Sequence, residues 1–449
     1  GAAPRNVAGP ALMLSYVFAG VTCVFAALCY AEFASMVPVA GSAYTYAYAT
    51  LGELFAWIIG WDLILEYAVG AATVANGWSG YFQSVVANFG VRLPAALSGP
   101  PIIYDTAAGH FVATAGVVNL PAVIVVAVVT AVLVKGIQES AGFNAAMVLL
   151  KLTVVLFVIL AGSFYINPDN WRPFAPFGMT GVSFFGRTLL GDVNAGGQPV
   201  GMLAGAAIIF FAYIGFDSVS THAEEAKNPR RDVPIGIIAS LVICTVLYIA
   251  VVAVLTGMVK YDRLSVDAGV SDAFKQAGLP WAEFIIAAAG VAGITSVLLV
   301  MMLSAPRVFL AMARDGMVPP GFFGDVHPKF RTPWKSTILI GAFVMVLAGF
   351  LPIDALLHMT NIGTLFAFVI VCAAVLIMRR TNPDAERPFR APLYPFVPIL
   401  GILSCLLLMF SLPVENWYRL LVWMALGFAI YFCYGYRHSG LRKRAGSKS

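Results

Sequence analysis

The chain reads as an all-α polytopic membrane protein, and three observations carry that reading. Of its 449 residues, 60% are hydrophobic and only 11% charged, where a soluble globular domain carries about 25% charged residues. Eleven stretches are apolar over most of the roughly 20 residues that a spanning helix needs. The Lys and Arg residues between them fall unevenly on alternate sides, the asymmetry that sets membrane orientation.

The apolar stretches run at about 10–36, 51–86, 120–134, 141–165, 201–223, 234–259, 282–306, 336–351, 354–378, 392–412 and 417–436. Short connections between them leave no room for a separate soluble domain. Between the first two, "PVAGSAYTYAYATLGE" reads as a tight inward hairpin with an interfacial aromatic belt. "EEAKNPRRDVP" and "AMARDGMVP" read as short charged turns that set topology.

If the first complete helix runs inward, eighteen of the 27 Lys and Arg lie inside, eight lie outside and Lys151 lies within a span. The C-terminus is then cytoplasmic. The tail "YRHSGLRKRAGSKS" is a basic anchor beside anionic headgroups rather than a nucleic-acid patch. Residue 1 falls outside, and "GAAPRNVAGP" reads as the end of a preceding helix, most of which is expected to lie before this sequence.

The composition excludes much chemistry. The six cysteines all lie in apolar runs without metal spacing, and the five histidines form no ligand cluster; no cofactor or metal is expected. Phosphate loops, nucleophile elbows and zinc-protease motifs are absent, so an enzyme is not expected.

The chemistry concentrates where the apolar pattern is interrupted. "FFAYIGFDSVSTHAEEAKNPRRDVP" (210–234) begins as a membrane helix and then breaks, with Gly215, Asp217, Ser218, Ser220 and Thr221 in succession. Backbone groups freed at membrane depth must face protein or a watery cavity. Interrupted helices of this kind bind substrates in secondary transporters; a kinked structural helix is the alternative. Lys151, in "AAMVLLKLTVVLF", and Glu66, in "GWDLILEYAVG", are intramembrane charges, which are costly and usually functional. For Glu66 a structural pairing, in which the buried carboxylate satisfies a neighbouring amide or hydroxyl, is a serious alternative. Glu32 is expected near the cytoplasmic end of its helix, while Glu53 and Asp62 have no assigned role.

Three blocks together resemble the amino acid–polyamine–organocation superfamily, and within it the bacterial members of the cationic amino acid transporter family. They are "LCYAEFASMVPVAGSAYTYAYATLGELFAWIIGWDLILEYA" (28–68), "FFAYIGFDSVSTHAEEAKNPRRDVPIGI" (210–237) and "PRVFLAMARDGMVP" (306–319), with "ALLHMTNIGTLFAF" (355–368) a weaker match. The resemblance implies a LeuT-like 5+5 inverted repeat plus two C-terminal helices, with the first helix largely missing from this chain. Residues 1–8 would be its remnant, 9–165 the rest of the first repeat, 200–378 the second repeat, 392–437 the extra helices and 438–449 the tail.

The resemblance further implies an importer of L-amino acids by proton symport with alternating access, in the plasma membrane. Phe211, Ala212 and Ile214 would offer carbonyls to the substrate ammonium, beside Gly215. Phe216 would close over the substrate and Met301 would line its side-chain pocket. Lys151 would stand where sodium-coupled relatives hold an ion, facing Thr295 and Ser296, with Glu66 as a further coupling candidate. A desolvated ammonium holds its proton less tightly than one in water, so Lys151 could carry the coupling proton. No acidic residue is expected near Met301, which favours neutral substrates. An exchanger and a non-transporting sensor or scaffold are the competing readings. Expected partners are amino acid, protons, a bilayer with anionic headgroups and a small single-helix membrane protein, with no nucleic acid.

Overall fold

The computed structural model describes residues 3–36, 42–105, 110–136, 141–185, 187–194, 197–216, 219, 227–264 and 269–440. In chain order the first helices are α1 (Leu12–Met36), α2 (Ser42–Thr50), α3 (Glu53–Asn88), α4 (Ala95–Ser98), α5 (Leu120–Lys135), α6 (Ala141–Ser163) and α7 (Met202–Ile209). There follow α8 (Pro229–Met258), α9 (Gly269–Gln276), α10 (Pro280–Arg314), α11 (Pro320–Phe323), α12 (Trp334–Phe350), α13 (Ile353–Thr381), α14 (Phe396–Phe410), α15 (Val414–Ile430) and α16 (Tyr436–His438). Among the described residues seven helical segments are long and apolar enough to cross a membrane, and four shorter apolar helices accompany them. Each of the eleven apolar stretches overlaps one of these helices in its described residues.

Proline fixes many of the boundaries. Pro229 and Pro280 open α8 and α10, and Pro333, Pro352, Pro395 and Pro413 immediately precede α12, α13, α14 and α15. A proline at a helix start lacks an N–H that would have no partner there, and its φ suits the first turn.

The packing has an internal order. α1 lies along α8, α3 along α10, and α5 along α12. Counting only the eleven apolar helices, each pair is five apart, and an odd offset makes the partners antiparallel. α3 is the most enclosed of the long helices and also packs on α13. By contrast, α6 is largely exposed along its length and touches chiefly α8 and α10.

One end of the bundle, which holds the C-terminal arginines of α13, is the basic end. There the fully buried Glu32 closes α1 onto the α13–α14 connection. Arg379 donates to it from Nε at 2.9 Å and Nη2 at 2.5 Å, and the Ala391 amide adds a bond of 2.8 Å. Arg387 lies 3.5 Å from the same carboxylate and donates to the carbonyls of Pro383, Ala385 and Asn382. Such dense pairing is what a buried charge needs to be tolerated.

Two local features differ from the sequence reading. The stretch expected to be a hairpin forms helix α2 over Ser42–Thr50; Pro38 and Gly41 lie outside the described residues. Its Tyr44 is buried rather than interfacial and donates to Asp315 Oδ2 at 2.9 Å. That bond ties α2 to the end of α10. The second feature is a set of two-stranded antiparallel sheets at the opposite end. β1 (Ile102–Asp105) pairs with β2 (His110–Ala113), β3 (Val182–Phe184) with β4 (Arg187–Leu190), and β5 (Asp192–Val193) with β6 (Pro199–Val200). The last two pairs fill the connection between α6 and α7.

Candidate functional site

The helix that begins at Met202 is interrupted inside the bundle. After Ile209 it tightens into a 3-10 turn, Phe210–Tyr213, and Ile214 then turns extended, with ψ 133°. Gly215 follows at φ +114°, a conformation that side chains other than hydrogen rarely adopt. A Cβ at Gly215 would meet no described atom within 4 Å, so the glycine serves backbone geometry rather than close packing. Asp217, Ser218, Ser220 and Thr221 lie outside the described residues.

The interruption frees carbonyls, and specific side chains meet them. Asn361 of α13, itself fully buried, donates its amide to the carbonyls of Ala207 and Ile208, each at 2.8 Å. Tyr248 of α8 donates its hydroxyl to Ala212 O at 2.8 Å. The Phe211 carbonyl accepts the Ile214 amide at 3.2 Å. Two of the carbonyls assigned to the substrate ammonium therefore already hold one donor each, and each keeps a second lone pair. Tyr213 donates to Tyr16 O at 2.7 Å, which ties the turn to α1.

Phe216 is buried in an aromatic cluster. Its ring centroid lies 6.0 Å from Tyr30 and 5.1 Å from Phe368, and Phe368 in turn packs on Phe210 at 5.6 Å. Edge-to-face and tilted contacts of this kind are favourable for aromatic pairs.

Met301 lies on the seam between α10 and α3. Its sulfur would stand 3.3 Å from a Cβ at Gly70, and Thr360 Cγ2 of α13 would stand 3.6 Å from the same atom. Glu66 sits one helical turn before Gly70, and Asp62 one turn before that; both are fully buried. Asp62 points toward Gly363 of α13, where an added Cβ would stand 3.0 Å from Oδ1.

Lys151 reaches across from α6 and donates to Ser296 Oγ on α10. Its methylenes lie against Gly293, where an added Cβ would stand 3.2 Å from Lys151 Cγ. Thr295, expected to share this contact, instead accepts Trp78 Nε1 at 2.9 Å. The sequence-assigned residues thus form three groups: the interruption itself, the α3–α10 seam, and the α6–α10 bridge.

Sequence reasoning missed Asn361, Tyr248, Tyr213 and Tyr16. Asn361 carried a signal, since it is an amide within an otherwise apolar span. The tyrosines carried none, because a tyrosine within a span reads equally well as packing.

The family model described as amino acid permease matches residues 2–430. The chain is 45% identical to the branched-chain amino acid permease BcaP of Bacillus subtilis, over 97% of this chain and 88% of that protein. It is 44% identical to the methylthioribose transporter of the same organism, with the same coverage. It is also 37% identical to the vacuolar cationic amino acid transporter 4 of Arabidopsis thaliana, over 86% of this chain and 60% of that protein.

Proposed function

The chain belongs to the amino acid permease family, multi-pass membrane transporters of amino acids, and from that premise we propose a finer reading: it imports small or medium neutral L-amino acids by proton symport with alternating access. The basic end of the bundle then faces the cytoplasm and the sheet-bearing end faces outward, in the plasma membrane. The observation that carries the reading is the helix interruption at Ile214–Gly215, which breaks the regular run of backbone hydrogen bonds inside the bundle. Carbonyls freed in this way suit an ammonium group. Met301 narrows the space beside α3 at Gly70, and its thioether offers no counter-charge to a cationic side chain. An Arg or Lys side chain buried there without a counter-charge would be strongly disfavoured.

In this reading Lys151 carries the coupling proton. Protonated, it holds α6 to α10 through Ser296; deprotonated, it has less to hold, and the exposed α6 is free to rock. Glu66 acts through the buried network of α3.

The methylthioribose transporter at 44% identity favours a second reading, in which the substrate is a neutral sugar thioether. Competition against labelled L-alanine separates these readings in the full chain. Alanine and other neutral amino acids should compete, and Met301→Ser should widen the range toward larger and more polar ligands. Strong competition by arginine in the wild type would overturn the neutral-amino-acid reading. Competition by methylthioribose with none by amino acids would establish the second.

A further inference from the structure

Three tyrosines meet where the helix interruption lies against α1 and α8. Tyr16 belongs to α1, Tyr248 to α8 and Tyr213 to the 3-10 turn itself. Their ring centroids stand 5.6 Å apart for Tyr16 and Tyr248, 5.5 Å for Tyr213 and Tyr248, and 6.2 Å for Tyr16 and Tyr213. Tilted and edge-on rings at such spacings attract one another and hold their orientation. Gly20, one turn after Tyr16, keeps this corner open. An added Cβ there would stand 3.0 Å from the Tyr213 hydroxyl and 2.9 Å from Thr245 Cγ2 of α8.

Two hydroxyls of the cluster donate to backbone carbonyls, with different consequences. Tyr213 reaches out of the turn to Tyr16 O on α1, at 2.7 Å. Tyr248 reaches into the turn and donates to Ala212 O at 2.8 Å. The first bond anchors the turn. The second acts on a carbonyl that the transport reading assigns to the substrate ammonium. Ala212 lies two residues before Ile214, where the backbone leaves helical geometry. A hydroxyl bound at one lone pair of a carbonyl there fixes the direction of the other. The Phe211 carbonyl accepts its bond from within the turn, at the Ile214 amide, whereas the Ala212 carbonyl is held from another helix. A single side-chain substitution therefore reaches its orientation.

We propose that Tyr248 is a positioning residue that sets specificity for the substrate amine. Its hydroxyl fixes the Ala212 carbonyl so that the remaining lone pair accepts one N–H of a primary α-ammonium. A primary ammonium has an N–H for each of the Phe211, Ala212 and Ile214 carbonyls. An N-methylated one has fewer and sets a methyl against a carbonyl. The site takes primary α-amino acids and rejects their N-methyl counterparts. The proposal rests on the transport reading, and its test separates the two.

The test is uptake of labelled L-alanine into vesicles carrying the full chain, with N-methyl-L-alanine as competitor. In the wild type N-methyl-L-alanine should bind about tenfold more weakly than alanine, the effect of one unmet hydrogen bond at a buried group. Tyr248→Phe should raise the KM for alanine about tenfold and leave the maximal rate within about twofold, as loss of a binding contact does. Its affinity for N-methyl-L-alanine should barely change, so discrimination collapses. Both losses fall on the same hydrogen bond and do not add. Tyr213→Phe removes an equivalent hydroxyl from the same cluster; it should lower the melting temperature while discrimination persists. Equal wild-type affinity for the two ligands, or equal weakening of both by Tyr248→Phe, would overturn the proposal and leave amino-acid transport standing. Absence of alanine binding in the wild type would overturn the transport reading and the proposal together.

Discussion

Gly215 bears most directly on whether the interrupted helix binds substrate. Its φ of +114° excludes a β-branched side chain at a cost of about 1–3 kcal/mol, yet no described neighbour would clash with a Cβ. Gly215→Val should therefore insert and fold while substrate binding falls about tenfold or more, since 1.4 kcal/mol corresponds to a factor of ten. Equilibrium binding of labelled alanine beside a thermal melt reads both quantities; unchanged affinity would mark the interruption as a structural kink. Asn361 makes the complementary case. Asn361→Leu leaves the Ala207 and Ile208 carbonyls without their donor, each at a cost of about 1–3 kcal/mol when buried. Here the melting temperature should drop and binding weaken together. A melt that shifts with affinity preserved would give Asn361 a scaffold role only.

Between helices, the Glu32 cluster is the strongest polar connection described, joining α1 to α13 and to the chain leading into α14. Removing one partner of a buried pair costs about 3–5 kcal/mol because the other charges stay buried. Glu32→Ala should accordingly lower thermal stability by that amount, and far more than a substitution at the exposed Arg230–Glu386 pair; equal effects would contradict the assigned burial. The sequence marked Glu32 as lying near a helix end but offered no sign of Arg379 and Arg387, which lie more than three hundred residues away. Helix positions were legible because hydropathy and proline report local geometry. The short sheets between α6 and α7 were not, since two- to four-residue strands have no periodicity long enough to read. Helix α2 was misread as a hairpin because the contact that orders it, Tyr44 to Asp315, joins residues far apart in sequence.

Across the whole chain, the pairing of α1 with α8, α3 with α10 and α5 with α12 is the spatial counterpart of two inverted repeats. An arrangement of that kind allows one set of helices to rock against the other around a fixed central site. The interruption that follows α7 was legible from "AYIGFD", because glycine in an apolar run signals a backbone requirement. The bridge from Lys151 to Ser296 was anticipated through family resemblance, whereas the diversion of Thr295 to Trp78 depends on side-chain packing that sequence does not encode locally. Proton-driven transport through Lys151 is the central element of the proposed mechanism. The decisive measurement is uptake of labelled L-alanine into vesicles containing no amino acid, driven by a pH step alone, in wild type and Lys151→Ala. The wild type should accumulate alanine in proportion to the step, while Lys151→Ala should bind alanine without concentrating it. Accumulation by Lys151→Ala that still follows the pH step, or wild-type uptake only when amino acid is preloaded inside, would contradict it.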